Sequence, residues 1–179
     1  MKKIIMILMT ITLVICLTNF TCQGNNLKEG DIVFQISKSE QSPLIQYATM
    51  SPWSHCGVII EKNEKLYVLE ASNVVKLTPL DEWKKKGRLG FMKSRRVCKQ
   101  EVKIKYKKYL GTPYDRQFKF NNGKYYCSEL VYDIYKNQLG LQLCTPKKIS
   151  RYHILGIKKQ MKKRGISSKQ LVVAPCDLL

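Results

Sequence analysis

The stretch Tyr125-Tyr126-Cys127-Ser128-Glu129-Leu130-Val131 narrows what this chain can become more than any other, because it opens a helix with a cysteine in the first turn. Apolar residues at Leu130, Val131, Ile134, Tyr135 and Leu139 recur at the three-and-four spacing of one helical face, and Gly140 stands where a left-handed C-terminal cap is wanted. The spacing predicts a helix to about Gln138. Leu130 and Val131 lie three and four residues beyond Cys127, so the cysteine shares the inward stripe and points at whatever the helix packs on. The positive end of the helix dipole favours a thiolate at that position. The alternative reading is a buried free cysteine acting as a small hydrophobe.

A histidine elsewhere decides between the two. The run Ser54-His55-Cys56-Gly57-Val58-Ile59-Ile60-Glu61 reads as a strand, and Leu66-Tyr67-Val68-Leu69-Glu70-Ala71 as a second one just beyond the turn Lys62-Asn63-Glu64-Lys65. With Asn63 and Glu64 as the two loop residues, Lys62 opposes Lys65 and Gly57 falls opposite Glu70. His55, Gly57 and Glu70 then share a face, with His55 and Glu70 as diagonal neighbours. A slip of one residue would turn Glu70 to the other side. In the favoured register a carboxylate holds an imidazole in the tautomer a general base needs, which is the orienting role in a nucleophile, base and orienter arrangement.

The chain's 179 residues suit one domain with a single core. Met1-Lys2-Lys3 and the apolar run from Ile4 to Leu17 have the charged head and short apolar middle of a secretory leader, and that run is too short to span a bilayer comfortably. Residues 1–24 are therefore read as a signal segment, cleaved between Thr21 and Asn25, and residues 25–179 as the mature domain. Cys16 and Cys22 raise a lipoprotein reading, although Asn19-Phe20-Thr21 is a poor lead-in to Cys22 and Ile15 before Cys16 is bulky. The mature chain is expected to be secreted, periplasmic or associated with the cell envelope.

Within that domain, Gly30 to Ile36 reads as a short strand. Ser42-Pro43 starts a short helix through about Thr49, and Thr78-Pro79-Leu80-Asp81 starts another that ends near Gly87. Arg88 to Val97 reads as a strand, and Gln100 to Leu110 has helical spacing. Of seven cysteines, Cys56, Cys98, Cys127, Cys144 and Cys176 belong to the folded part. Their spacing fits no metal pattern and no small-domain disulfide framework. A nucleophilic Cys127 stays reduced, leaving Cys56, Cys98, Cys144 and Cys176 to pair or to be buried as thiols. No cofactor is expected.

Net charge is +19, or +17 without Lys2 and Lys3. That balance favours polyanionic partners. An anionic cell-envelope surface fits a secreted chain, whereas no zinc-finger, homeodomain or RNP pattern supports a specific nucleic acid. The competing reading is a solvated lysine surface that serves solubility. A monomer is the favoured state.

Five blocks, in order, resemble the YiiX-like permuted papain-fold cysteine hydrolases: Gly30-Asp31-Ile32-Val33-Phe34, Trp53 to Ile59, Leu69-Glu70-Ala71, Gly111-Thr112-Pro113-Tyr114-Asp115, and Tyr126 to Val131. These are relatives of the NlpC-type cell-wall peptidases and of the lecithin retinol acyltransferase group. The likeness covers about Leu27 to Leu139 and is weak over the last forty residues. In the ordinary NlpC-type order the cysteine precedes the Gly-Asp strand and the histidine; here it comes last, as a circular permutation would leave it.

The resemblance implies an α+β, circularly permuted papain-like fold in which a curved antiparallel sheet carries the nucleophile-bearing helix. It also implies cysteine-dependent cleavage or transfer at an amide or ester. Cys127, His55 and Glu70 are the expected catalytic residues. Tyr114, Tyr126 and Ser54 are candidates for substrate binding or the oxyanion, together with the Cys127 amide. Glu129 is expected to face away from the thiolate and serve the helix dipole, and His153 to be a satisfied structural residue. Three functions stay open: an amidase or peptidase acting on cell-wall peptides, a lipid-directed thioesterase, amidase or acyltransferase, and a non-catalytic binding protein. An apolar groove beside Cys127, rather than a polar cleft, would mark the second.

Overall fold

The computed structural model describes residues 26–179; the expected leader over residues 1–24, with Cys16 and Cys22, lies outside them. Strands β1 (Ile32–Ser37), β2 (His55–Lys62), β3 (Lys65–Ala71), β4 (Val75–Pro79) and β5 (Gly87–Arg95) form one sheet in the order β4-β3-β2-β1-β5, every neighbouring pair antiparallel. The β2–β3 hairpin pairs Lys62 with Lys65 and Val58 with Leu69. Asn63 and Glu64 both take positive φ, 51° and 59°, the backbone a two-residue turn needs to match the twist of its strands. The expected register is therefore the one that forms.

The expected curvature does not form. β4 and β5 are the two edges of an open five-stranded sheet and do not pair with each other, which corrects the curved sheet anticipated above. The physical reason is cover on both faces. Cys56, Val58, Ile60, Leu69 and Ala71 pack against helix α3 (Cys127–Leu139), described below, while Val33, Ile59 and Val68 pack against Trp83 of helix α2 (Leu80–Lys86). With helices on both faces of its central strands, the sheet is the middle layer of the domain and leaves β5 largely exposed at one edge.

Helix α1 (Ser42–Thr49) follows β1, and α2 follows β4. Neither Ser42 nor Thr78 caps its helix: the N-caps are Gln41 and Pro79. Ser42 Oγ instead meets Ser54 Oγ at 2.5 Å, and Thr78, inside β4, turns its hydroxyl to Glu70. The helical spacing from Gln100 to Leu110 yields only one 3-10 turn, Tyr106–Tyr109. The Ile104 amide donates to Glu29 Oε1 and the Lys105 amide to Gln138 Oε1, so side chains from elsewhere take the backbone donors a helix would have used.

Helix α3 ends with Gly140 at φ 68°, the anticipated left-handed cap. Its Tyr135 hydroxyl donates to the Gly30 carbonyl, and Arg96 clamps Asp31 at 2.8 and 2.7 Å. The Gly30-Asp31 pair thus ties the start of β1 to the central helix and to the segment after β5. The last forty residues add strands β6 (Lys147–Lys148) and β7 (Leu171–Val172) and helix α4 (Lys158–Lys163), around a small cluster of Ile149, Met161 and Val172. Among the described residues no helix is long and apolar enough to cross a membrane.

Candidate active site

Cys127 is the first residue of α3 and is 4% exposed. His55 is the first residue of β2. His55 and Glu70 lie on the sheet face that α2 covers, and α3 covers the other. The imidazole and the thiol therefore meet round the end of the sheet, where both elements begin, and not across one of its faces. His55 Nε2 lies 2.6 Å from Glu70 Oε2, which leaves Nδ1 as the ring nitrogen available to the sulfur.

Glu70 is 3% exposed, and its carboxylate is saturated. Thr78 Oγ1 donates to Oε1 at 2.6 Å, and Trp83 Nε1 donates to Oε2 at 3.1 Å beside the imidazole. Burial alone would raise the Glu70 pKa. The hydrogen bond to and charge of His55, with Thr78, outweigh it and hold the carboxyl at about 2. Burial likewise opposes charge on His55, and hydrogen bonds to Cys127 and Glu70 overcome it, raising the imidazole to about 10. The Cys127 thiol moves the other way. Hydrogen bonding from the Cys56 side chain, against the cost of burial, and then from His55 takes it well below its ordinary value. The charged pair, thiolate and imidazolium, is the form this geometry favours.

Cys56 was not singled out by its motif, yet strand alternation places it. As the neighbour of His55 it must face the other side of β2, toward the helix that carries Cys127. Thr78 and Trp83 had no such signal, since their distance from Glu70 depends on how β4 and α2 fold back. Among the described residues all five cysteines are free thiols.

The remaining candidates divide. The Tyr114 hydroxyl, 3.4 Å from Gln41 Oε1, lies in a polar cleft of about 450 Å³ that also holds Ser54, His55, Glu70, Arg116 and Arg164. Ser54 Oγ accepts from the Ser37 amide at 2.9 Å and meets Ser42. The Tyr126 hydroxyl accepts from the Val173 amide at 3.1 Å, so it is turned to the C-terminal segment. Asp115 accepts from the amides of Gln117 and Lys119 and from Asn122, holding the loop that leads to Cys127. His153 pairs with the Tyr47 hydroxyl at 2.8 Å. Glu129 departs from the role expected for it: it is 3% exposed, and burial pushes its carboxyl up to about 8, so it carries little charge for the dipole at neutral pH.

Cys127 itself lines a different cavity, of about 130 Å³, walled by Leu44, Ile45 and Ala48 of α1, Phe118, Met161 and Val173. Gln41, Ile45 and Arg164 line both spaces. More than half of the apolar wall comes from the C-terminal forty residues, whose sequence signal is no more than a scatter of apolar residues such as Ile149, Ile154, Ile157 and Met161 through a lysine-rich stretch.

The family model described as "Permuted papain-like amidase enzyme, YaeF/YiiX, C92 family" matches residues 26–177. The Escherichia coli (strain K12) "Uncharacterized protein YiiX" is 38% identical over 158 residues, 82% of this chain and 78% of that one. The crystal structure of metalloprotein yiiX from Escherichia coli O157:H7 matches with a TM-score of 0.78 and 36% identity, over 84% of this chain and 91% of that one. The word metalloprotein belongs to that relative: among the described residues here, no three His, Cys, Asp or Glu side chains gather as a metal ion would need. With its α+β architecture and the order of its blocks, the chain belongs to the permuted papain-like amidase family and is an enzyme of the amidase and peptidase type.

Proposed function

We propose that residues 25–179 form one catalytic domain that hydrolyses an amide or ester joining an apolar acyl chain to a polar group, at the cell envelope, with Cys127, His55 and Glu70 as a triad. His55 takes the Cys127 proton, and Glu70 steadies the imidazolium. The thiolate attacks the carbonyl carbon, and the oxygen that becomes negative is met by the Cys127 amide and the Tyr114 hydroxyl. Collapse breaks the bond to the leaving amine or alcohol, which takes the proton from His55. Water then attacks the thioester with His55 as base, releasing the acid and restoring the thiol.

The observation that carries this reading is the position of Cys127, in the wall of an apolar cavity that adjoins a polar cleft holding His55 and Glu70. An acyl chain suits the first space and a polar leaving group the second. Unacylated cell-wall peptides would leave the apolar cavity unused. The test is a series of N-acyl amino acids of increasing chain length set against unacylated peptides, with intact-mass detection of an adduct on Cys127. Turnover that rises with chain length, and an acyl mass that disappears in Cys127→Ala, supports the reading. Equal or faster cleavage of unacylated peptides overturns it.

A further inference from the structure

The outer wall of the apolar cavity is built from the most one-sided stretch of charge in the chain. Between Gly140 and Cys176 there is no Asp or Glu, while nine positions are Lys or Arg. Helix α4, Lys158-Lys159-Gln160-Met161-Lys162-Lys163, concentrates four of them on a single short element and buries only Met161, which lines the cavity. All four lysines and the following Arg164 are exposed. Among the described residues none of them takes part in an ion pair. A cluster of like charges without counter-ions costs stability through self-repulsion unless something anionic covers it.

Apolar side chains stand beside this cluster. Leu155 is 74% exposed and Met50 77% exposed, two of the most solvent-facing large apolar residues in the described chain. They come from different elements but share a region. The His153 amide donates to the Ala48 carbonyl at 2.8 Å, and the His153 and Tyr47 rings meet edge to face at 4.7 Å, which pins the segment before α4 onto the end of α1. On that segment Ile154 and Ile157 turn inward to the cavity, and Leu155, between them, turns out. Leu155 leads directly into the lysines of α4, so an exposed apolar side chain and a cationic helix adjoin where Ile154 and Ile157 wall the cavity.

We propose that this face, formed by Met50, Leu155 and the lysines of α4, docks the protein on an anionic phospholipid bilayer. Charge complementarity selects the occupant. Lysines near an anionic leaflet are each drawn to it, and Leu155 and Met50 enter the boundary between headgroups and acyl chains. A neutral protein partner would leave the cations uncovered, and a soluble polyanion would leave Leu155 and Met50 in water. Docking in this orientation sets the cavity rim against the membrane. It needs no catalysis, so it stands or falls separately from the role given to Cys127.

Hydrogen exchange of the full chain, read peptide by peptide, with phosphatidylglycerol vesicles, phosphatidylcholine vesicles or soluble polyphosphate, tests the proposal. Residues 149–166 are expected to gain protection with phosphatidylglycerol alone, and raised salt should reverse most of it. Replacing Lys158, Lys159, Lys162 and Lys163 with Gln should weaken binding through this face on the order of 1,000-fold. Leu155→Ser, with all charges kept, should weaken it by roughly tenfold. An unchanged melting temperature for both variants shows that the fold is intact, and Cys127→Ala should dock like the parent. Protection that is absent, equal on both kinds of vesicle, produced by polyphosphate, or dependent on protein concentration without vesicles overturns the proposal.

Discussion

His55 and Glu70 sit diagonally across the β2–β3 ladder, and the 2.6 Å between their side chains depends on the register set by the Asn63-Glu64 turn. Gly57 lies in the same stretch of β2. A methyl group there would come within 2.4 Å of Val68 Cγ1 and 2.7 Å of the Leu69 carbonyl oxygen, so the strands approach closely at the point where the pair must meet.

The carboxylate of Glu70 holds three donors at once, and its loss should be felt in both catalysis and stability. Glu70→Gln is expected to lower kcat by roughly 10- to 1,000-fold and to bring the His55 pKa down, measured by NMR titration of the ring. Glu70→Ala leaves Trp83 Nε1 and Thr78 Oγ1 without a partner and should cost about 2–4 kcal/mol. Because the folded carboxyl is depressed to about 2, its contribution to stability is complete above its ordinary value of 4.5 and is lost as pH falls from there through about 2. The acid side of a stability curve should lose that component in either variant.

Thiol reactivity should single out Cys127. Its pKa is lowered, whereas burial raises those of Cys56, Cys98, Cys144 and Cys176. Iodoacetamide at about pH 6 is expected to label Cys127 first, with mass mapping as the readout, and His55→Ala should slow that labelling by at least roughly tenfold. Equal labelling of all five thiols would remove the basis for a thiolate at this site.

Glu129 makes a prediction of the opposite sign. Its Oε2 is buried without a partner, and its carboxyl is raised to about 8. A folded-state pKa above the unfolded value means that the native chain holds the proton longer. Stability is therefore surrendered as pH rises from about 4.5 to about 8. Glu129→Gln should abolish that slope and raise Tm by a few °C at pH 8, with little change at pH 4. Thermal melts across this range decide it.

The apolar cavity offers a size test. Ala48 lines it from α1, and Ala48→Phe should fill much of the space. On the proposed acyl substrates, kcat/KM is expected to fall by at least roughly tenfold for long chains and to change little for the shortest. A uniform loss across chain lengths would point to a disturbed fold instead.

Much of the central machinery could be read from local pattern. The three-and-four spacing after Cys127, the Gly140 cap and the two-residue turn at Asn63-Glu64 are properties of neighbouring residues, so helix α3, the β2–β3 register and the shared face of His55 and Glu70 followed from sequence alone. Local pattern misled where distant groups compete for the backbone. Glu29 and Gln138 take the amides of Ile104 and Lys105 and prevent a helix, and Thr78 gives its hydroxyl to Glu70 rather than to a helix cap.

Tertiary structure alone decided that the sheet lies open between two helical covers, that the imidazole reaches the sulfur round the sheet's end, and that Glu129 is buried. It also decided that a lysine-rich tail with scattered isoleucines closes an apolar cavity against Cys127. These outcomes depend on which surfaces, far apart in the chain, come together and exclude water. Periodicity within a single element carries no record of its partner.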